Sequence, residues 1–482
     1  MALILSNAWP HIVTALIFAL AVIASAHAIL SRRDVRSTLG WVGVVWLVPV
    51  FGPVLYSVFG INRIKRRATQ LRAGALRFTS DWLPSSEEIA AADQVSEVAH
   101  HLVALERLVR RVTERSLTRG NSVRPLVNGE EAFPAMIGAI DAAERTVALS
   151  TYVFNHDPAG EMFVAALARA VRRGVEVRVL IDAVGARYSR PPIAGTLRQR
   201  GIQVARFLRT VLPWRMQYMN MRNHRKLLVT DGQVGFTGGM NISKGNFVRT
   251  STGAPIQDVH FCVTGPVVAH MLGVFAEDWA STAGEVLAGE GWFPSLDPVG
   301  RVLSRGLSDG PDIDIDKLPL VLMGALSCAR ESIRIVTPYF LPDESMITAL
   351  NVAALRGVDV CIVLPEVNNL PPVAWAATAQ LPLMLERGCR FFLSPGPFDH
   401  SKLLIVDEVW SLVGSANWDP RSFRLNFEFN LECYDRDLAG SLARLADDKA
   451  ARGRPVTLAD VARRGFPTQL RDGIARLASP YL

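Results

Sequence analysis

The chain has no Cys-x-x-Cys pair. Its five cysteines, Cys262, Cys328, Cys361, Cys389 and Cys433, are odd in number and sit mostly in apolar runs such as DVCIVLP. That pattern offers no zinc site and fits small buried hydrophobes in a reducing compartment. A carboxylate cluster suited to Mg²⁺ or Ca²⁺ is also missing, so no metal and no other cofactor is expected. Residues 1–31 lack Lys, Arg, Asp and Glu altogether. A secretory signal peptide would carry a basic stretch ahead of its apolar run, and here there is none.

What is present begins with size and charge. The 482 residues are 49% hydrophobic, carry a formal charge of +7 and have a pI near 9.4. They suffice for two domains and a membrane segment. A basic balance favours polyanions, either nucleic acid or an anionic membrane surface, without choosing between them.

Ile12 to Leu30 is almost wholly apolar and long enough to cross a bilayer as a helix. A basic turn follows at Arg32, Arg33 and Arg36, and then a second uncharged stretch from Ser37 to Asn62 with Pro49 and Pro53 inside it. Ala24-Ser25-Ala26 has the small-x-small form of a cleavage site. The second apolar segment nonetheless favours a retained two-helix hairpin over residues 1–62. Arg63, Lys65, Arg66, Arg67 and Arg72 outnumber the arginines of the turn, which keeps the rest of the chain on the cytoplasmic side.

Residues 63–123 read as a basic helical connector, with helical spacing in VAHHLVALERLVRRV. From residue 124 the pattern alternates. TVALSTYVF, GEMFVAALARAVRRG and VEVRVLIDAVG read as strand, helix, strand. SIRIVTPYF, SMITALNVAALRG and VDVCIVLPE repeat that order about 180 residues later. An α/β sandwich is expected in each half, over 124–300 and 301–445, followed by a helical tail over 446–482.

The repeat ends in matched motifs. His224, Lys226, Asp231, Gly238 and Asn241 recur as His400, Lys402, Asp407, Gly414 and Asn417, with every offset conserved between the copies. One copy alone is weak evidence, whereas two copies at equal spacing inside a repeated unit are strong. On a strand, His and Lys two apart share a face. The imidazole attacks phosphorus or moves a proton, while the ammonium and the Asn amide neutralise phosphoryl oxygens. Two copies meeting supply two histidines, a nucleophile and a general acid/base. Asp231 and Asp407 fall on the opposite face and are expected to brace the strand and its turn.

This constellation resembles the phospholipase D superfamily, whose signature is HxKxxxxD followed by GGxN or GSxN. The resemblance implies a catalytic set of His224, Lys226, Asp231, His400, Lys402 and Asp407, a phosphohistidine intermediate and no metal. It implies phosphate binding by Asn241, Asn417, Ser415 and Gly239. It also implies an acid downstream of each motif that orients the histidine, here Asp258 and Glu428. In sequence order, Asp258 is expected to back the first histidine and Glu428 the second. The paired N-terminal segments with PVFGPVLYSVFG, then RNHRK, TPYFLPD, DPRSFRLNFE and the final ARLASPYL narrow the resemblance to bacterial cardiolipin synthases. Two phospholipase D-like halves behind a membrane hairpin follow from it. So does a multi-pass protein of the bacterial inner membrane that joins two phosphatidylglycerol molecules and releases glycerol, with membrane lipids rather than nucleic acid as partners. The N-terminal histidine, His224, is then the nucleophile. Rival readings are a hydrolytic phospholipase D, a nuclease, or a lipid-binding scaffold with no activity. Arg209 to Met221, which mixes Arg with Trp, Tyr and Met, reads equally as a lip dipping into the membrane or as a connecting loop.

Overall fold

The computed structural model describes residues 2–31, 35–60, 91–208, 220–251, 253–312 and 314–479. The arginines between 32 and 34, the basic cluster from Arg63 to Arg72 and the mixed aromatic–basic segment over 209–219 lie outside the described residues. The chain divides into two compact units, Met1–Arg67 and Ala68–Leu482.

In the first unit one helix, Ala2–Ser31, is long and apolar enough over His11–Ser31 to cross a membrane. The second uncharged stretch differs from an unbroken partner helix. It forms a helix over Val35–Leu47, breaks at residues 48–50, and resumes as Phe51–Leu55 and a π-turn Tyr56–Gly60. Thirteen residues at 1.5 Å each fall short of a bilayer core of about 30 Å. The pieces still pack on the long helix. Ala21, Ala24 and Ala28 lie three and four apart and present a small-residue face to Val45 and Tyr56. Trp46 Nε1 donates to Ser25 Oγ at 3.0 Å.

The second unit is built on one continuous sheet. Its first repeat supplies β1 (Thr118–Val127), β2 (Thr146–Thr151), β3 (Glu176–Asp182), β4 (Gln203–Phe207), β5 (Arg222–Asn223), β6 (Leu227–Thr230), β7 (Val234–Gly238), β8 (Ile256–Gln257) and β9 (Val259–Thr264). The second supplies β10 (Val302–Asp309), β11 (Ser332–Val336), β12 (Asp359–Pro365), β13 (Arg390–Ser394), β14 (Phe398–Asp399), β15 (Leu403–Val406), β16 (Trp410–Gly414) and β17 (Asn426–Tyr434). β1 and β10 pair antiparallel at the centre. Outward from them the order is β9-β7-β6-β2-β3-β4 on one side and β17-β16-β15-β11-β12-β13 on the other. The sequence repeat therefore carries one strand order twice.

Local chemistry repeats with it. β2 is buried along its whole length, as an apolar, β-branched strand covered on both faces should be. Asp157 caps the helix Pro158–Arg172 by accepting from the N–H of Gly160, and Asp343 caps Glu344–Leu355 through Met346. Both helices end two residues before a glycine of positive φ, Gly174 and Gly357. Two boundaries differ from expectation. β1 starts at Thr118, inside the expected connector, because it is needed at the sheet centre. The tail adds a strand, β18 (Arg454–Val456), that pairs with β13.

Candidate active site

Each motif histidine sits just past a two-residue strand that crosses to the other repeat. β5 pairs with β17, and the N–H of His224 donates to Phe427 O at 2.9 Å. β14 pairs with β8, and the N–H of His400 donates to Gln257 O at 2.7 Å. His224–Lys226 and His400–Lys402 thus lie in extended links between strands, outside the regular ladders expected for them.

This crossing reverses the expected pairing of histidines and acids. His224 Nδ1 lies 3.0 Å from both carboxylate oxygens of Glu428, and His400 Nδ1 lies 3.0 Å from Asp258 Oδ2. Sequence order suggested the opposite match. The exchange follows from the strands: the residue preceding each acid accepts the N–H of the other repeat's histidine, which brings that imidazole alongside the acid. Ladder register identifies the two acids as equivalents. Gly238 faces His260 and Gly414 faces Asn430, so Asp258 and Glu428 each stand two residues upstream of that partner. A side chain on Gly238 would meet His260 Nδ1 at 2.6 Å, and one on Gly414 would collide with the Phe429 carbonyl. That close approach is why the glycine recurs in both copies.

Lys226 Nζ donates to the carbonyl of His224 at 2.7 Å and lies 5.5 Å from the centre of the Tyr152 ring. Lys402 Nζ donates to the carbonyl of His400 at 2.5 Å and lies 3.0 Å from its Nδ1. Tyr152 packs edge-on to His224 at 5.3 Å, and Tyr339 edge-on to His400 at 6.3 Å. Both tyrosines come from the repeated segments TVALSTYVF and SIRIVTPYF, where their recurrence is readable in the sequence though they lie outside the His–Lys–Asp motif. The charges of His224, Lys226 and Lys402 all act on His400, so the four motif side chains occupy one neighbourhood.

Burial sets the protonation. It pushes the His224 imidazolium down, to about 4, against the pull of Glu428. It holds His400 well below the usual imidazole range, with Lys402 and Lys226 adding to the effect. It also lowers Lys226 to about 7 and Lys402 to about 8. The two acids diverge. Burial pushes Asp258 up to about 7. Burial would raise Glu428 too, but His224 and Lys226 outweigh it and hold Glu428 below the ordinary carboxylate value.

The hydrogen-bond donors around the two acids differ in the same sense. Ser415 Oγ donates to Glu428 Oε2 at 2.5 Å and Asn426 Nδ2 donates to Oε1 at 3.0 Å. Asp258 accepts one backbone N–H, from Val259 at 2.8 Å, besides facing His400. The residue matching Ser415 is Gly239, where a Cβ would meet Asp258 Oδ2 at 2.7 Å and His400 O at 2.9 Å. Ser415, expected at the phosphate, is therefore engaged with the acid behind His224. Asn241 Oδ1 accepts the N–H of Val153 at 3.2 Å, so the group it offers a ligand is its amide N–H₂.

Asp231 and Asp407 stand at the far ends of their strands and hold backbone. Asp231 accepts the N–H groups of Glu144, Arg145 and Thr146, and Asp407 those of Arg330, Glu331 and Ser332. His101 Nε2 adds a contact to Asp407 at 2.8 Å. Between His and Lys the intervening side chain turns inward. Arg225 is fully buried in an ion pair with Asp278 at 2.6 Å, and Asp278 also accepts from Asn223. On the other side a buried Asp399–Lys449 pair holds the residue before His400. His260 is buried beside Asp258 and Lys226, and its ring nitrogens find no hydrogen-bond partner among the described residues. No group of three or more His, Cys, Asp or Glu side chains forms a metal-type cluster among the described residues.

Residues 136–279 and 322–448 match the sequence model described as "Cardiolipin synthase, PLD-like domain", and residues 19–60 match "Phospholipase_D-nuclease N-terminal". A cardiolipin synthase of Geobacillus kaustophilus is 31% identical over 94% of this chain and 90% of its own length. Cardiolipin synthase A of Pseudomonas putida is 32% identical over 97% of both chains. The crystal structure of phosphatidylserine synthase from Haemophilus influenzae superposes with a TM-score of 0.62 at 15% identity, covering 78% of this chain and all of that one, which is a likeness of fold. With one family model across more than half its length and relatives above 30% identity along nearly all of it, the chain belongs to the bacterial cardiolipin synthases, phosphatidyltransferases of the phospholipase D superfamily.

Proposed function

We propose that the two repeats are phospholipase D-like halves sharing one site, and that this site joins two phosphatidylglycerol molecules into cardiolipin through a phosphohistidine on His224. The observation that carries the reading is the crossed pair of His–acid contacts, each spanning the two repeats. His224 Nε2 attacks phosphorus and its bond to the glycerol headgroup breaks. His400, neutral with its hydrogen on Nε2, delivers that proton to the departing glycerol oxygen while the protonated Asp258 carboxyl passes its own to Nδ1. His400 then takes a proton from the terminal hydroxyl of a second phosphatidylglycerol, whose oxygen displaces His224. Lys226, Lys402 and the amides of Asn241 and Asn417 hold the phosphoryl oxygens and need no metal. The depressed imidazole pKa of His224 leaves its Nε2 lone pair free near neutral pH, and the ionised Glu428 stabilises the positive ring of the intermediate. The acid behind His400, with its pKa near 7, suits a proton carrier.

The apolar helix Ala2–Ser31 holds the chain in the inner membrane, with the second unit in the cytoplasm. The test is lipid analysis after expression in a host lacking cardiolipin. Cardiolipin with release of glycerol, unaffected by chelators, is the expected outcome. Phosphatidic acid as the product would make the chain a hydrolytic phospholipase D, and loss of activity restored by one specific cation would overturn the metal-free route.

A further inference from the structure

The C-terminal helix Phe466–Leu477 carries an apolar stripe on its outer side. Phe466, Leu470, Ile474 and Leu477, spaced four, four and three apart, are 75%, 52%, 59% and 81% exposed. That spacing puts them on one face, within about 80° of arc. The opposite face, Asp472 and Ala475, is buried. Arg471 and Arg476 flank the stripe on its two sides. Between residues 452 and 476 there are six arginines against two aspartates. One of those, Asp472, is buried and paired with Arg464 and Arg471.

The helix is tied to the rim of the active site. Its inner face packs on the helix Pro371–Thr378, where Ala475 meets Leu341, Val373, Ala376 and Ala377, with Tyr339 and Trp375 against the same cluster. Arg471 lies over the Trp375 ring at 4.3 Å. Tyr339 in turn touches His400 and donates from its hydroxyl to Asn369 Oδ1 at 2.7 Å. Leu370 and Val367, beside Asn369, are also exposed. Tyr339 therefore links the cluster beneath the helix to His400.

We infer that this helix is an interfacial element: its stripe enters an anionic phospholipid surface and seats the mouth of the active site on it. Arg471 is held inward on Trp375 and Asp472, and the charge facing that occupant comes from Arg476 beside the stripe and Arg463 just ahead of the helix, whose guanidiniums reach lipid phosphates while their stems extend along the apolar face. A second protein chain would be expected to bring acids to this rim, whereas an anionic bilayer meets both the stripe and its arginine borders. The inference rests on the lipid-substrate reading above, and its test separates the two.

The test uses full-length enzyme in vesicles of phosphatidylglycerol and phosphatidylcholine, with an environment-sensitive fluorescent amino acid at position 474. Quenching by phosphatidylglycerol brominated on its acyl chains is expected. In parallel, the exposed pair Leu470→Gln/Ile474→Gln should lower turnover of vesicle lipid about ten-fold or more, with turnover of a monomeric short-chain substrate unchanged. An unquenched fluorophore, or equal losses on both substrates with an unaltered melting temperature, would overturn the inference. So would shielding that depends on protein concentration in lipid-free micelles, which would assign the stripe to a second copy of the chain. Quenching needs no turnover. An enzyme that is quenched yet inactive on phosphatidylglycerol therefore loses the proposed reaction and keeps this surface.

Discussion

At the residue scale, two equivalent positions have been given different chemistry. Glu428 is held ionised by His224, with Lys226 and the Ser415 hydroxyl adding to it, while Asp258, opposite Gly239, has fewer donors and titrates near neutrality. The imidazoles should separate by role. His400→Ala should lower turnover by about 10²–10⁴ yet still form the phosphatidyl-enzyme, because general acid–base help contributes in that range. His224→Ala should form no adduct. Acid-quench trapping with labelled lipid reads both, and the reverse pattern would exchange the roles. Ser415→Ala tests the asymmetry. Glu428 has a lowered pKa, so the benefit of its charge is lost as pH falls through that value. Removing a donor raises the pKa, and the acid limb of kcat should move to higher pH.

His260 belongs to the same scale. Burial holds it neutral, with a pKa near 4. Between pH 6.5 and 4 the unfolded chain binds a proton that the folded site refuses, so this residue removes stability as pH falls, at about 1.4 kcal/mol per pH unit. His260→Asn installs the residue found at the equivalent position, Asn430. The variant should lose less melting temperature than the parent on acidification across that window. Parallel curves would mean that the ring is protonated in the folded state.

At the scale of elements, the seventh residue after each histidine secures a turn. Asp231 and Asp407 adopt positive φ, 50° and 53°, and each gathers three backbone N–H groups from the start of a neighbouring strand. Asp231→Ala removes the acceptor for three N–H groups, two of them exposed to water and that of Thr146 part-buried, and should cost about 1–2 kcal/mol of stability. Asp231→Asn tolerates the left-handed backbone and keeps one oxygen, so it should cost less. Thermal melts give the order. Activity per folded molecule should change little in the Asp231→Asn enzyme assayed well below its melting point, since the carboxylate faces backbone and not the histidine. Strand parity pointed to a bracing role, but the histidines lie ahead of the ladder and the acids past its end, so it is the turn and not parity that separates them.

At the scale of the whole molecule, the active site depends on both repeats at once. β5 crosses to β17 and β14 to β8, so each acid serves the histidine of the other repeat. A double-mutant cycle reads this directly. His224→Ala combined with Glu428→Gln should be strongly non-additive in kcat/KM, with a coupling of about 1–3 kcal/mol, as for contacting residues. His224→Ala with Asp258→Asn should couple more weakly. Stronger coupling in the second pair would contradict the crossed assembly.

The sequence by itself determined the repeat, the strand–helix–strand order within each copy, the first apolar helix and the identity of the His, Lys and Asn side chains. These are local patterns: periodicity, capping residues, glycines at close approaches and a motif at fixed offsets. Which acid backs which histidine was decided only by the tertiary structure, because it depends on two-residue strands that pair more than 140 positions away. Ser415 turned from phosphate to acid for the same reason. The second uncharged segment broke where pattern alone suggested a continuous helix. The stripe on the last helix gained its meaning from what lies beneath it. Sequence records which faces are apolar, but only packing determines which of them remain uncovered, and here one does so at the rim of the catalytic pocket.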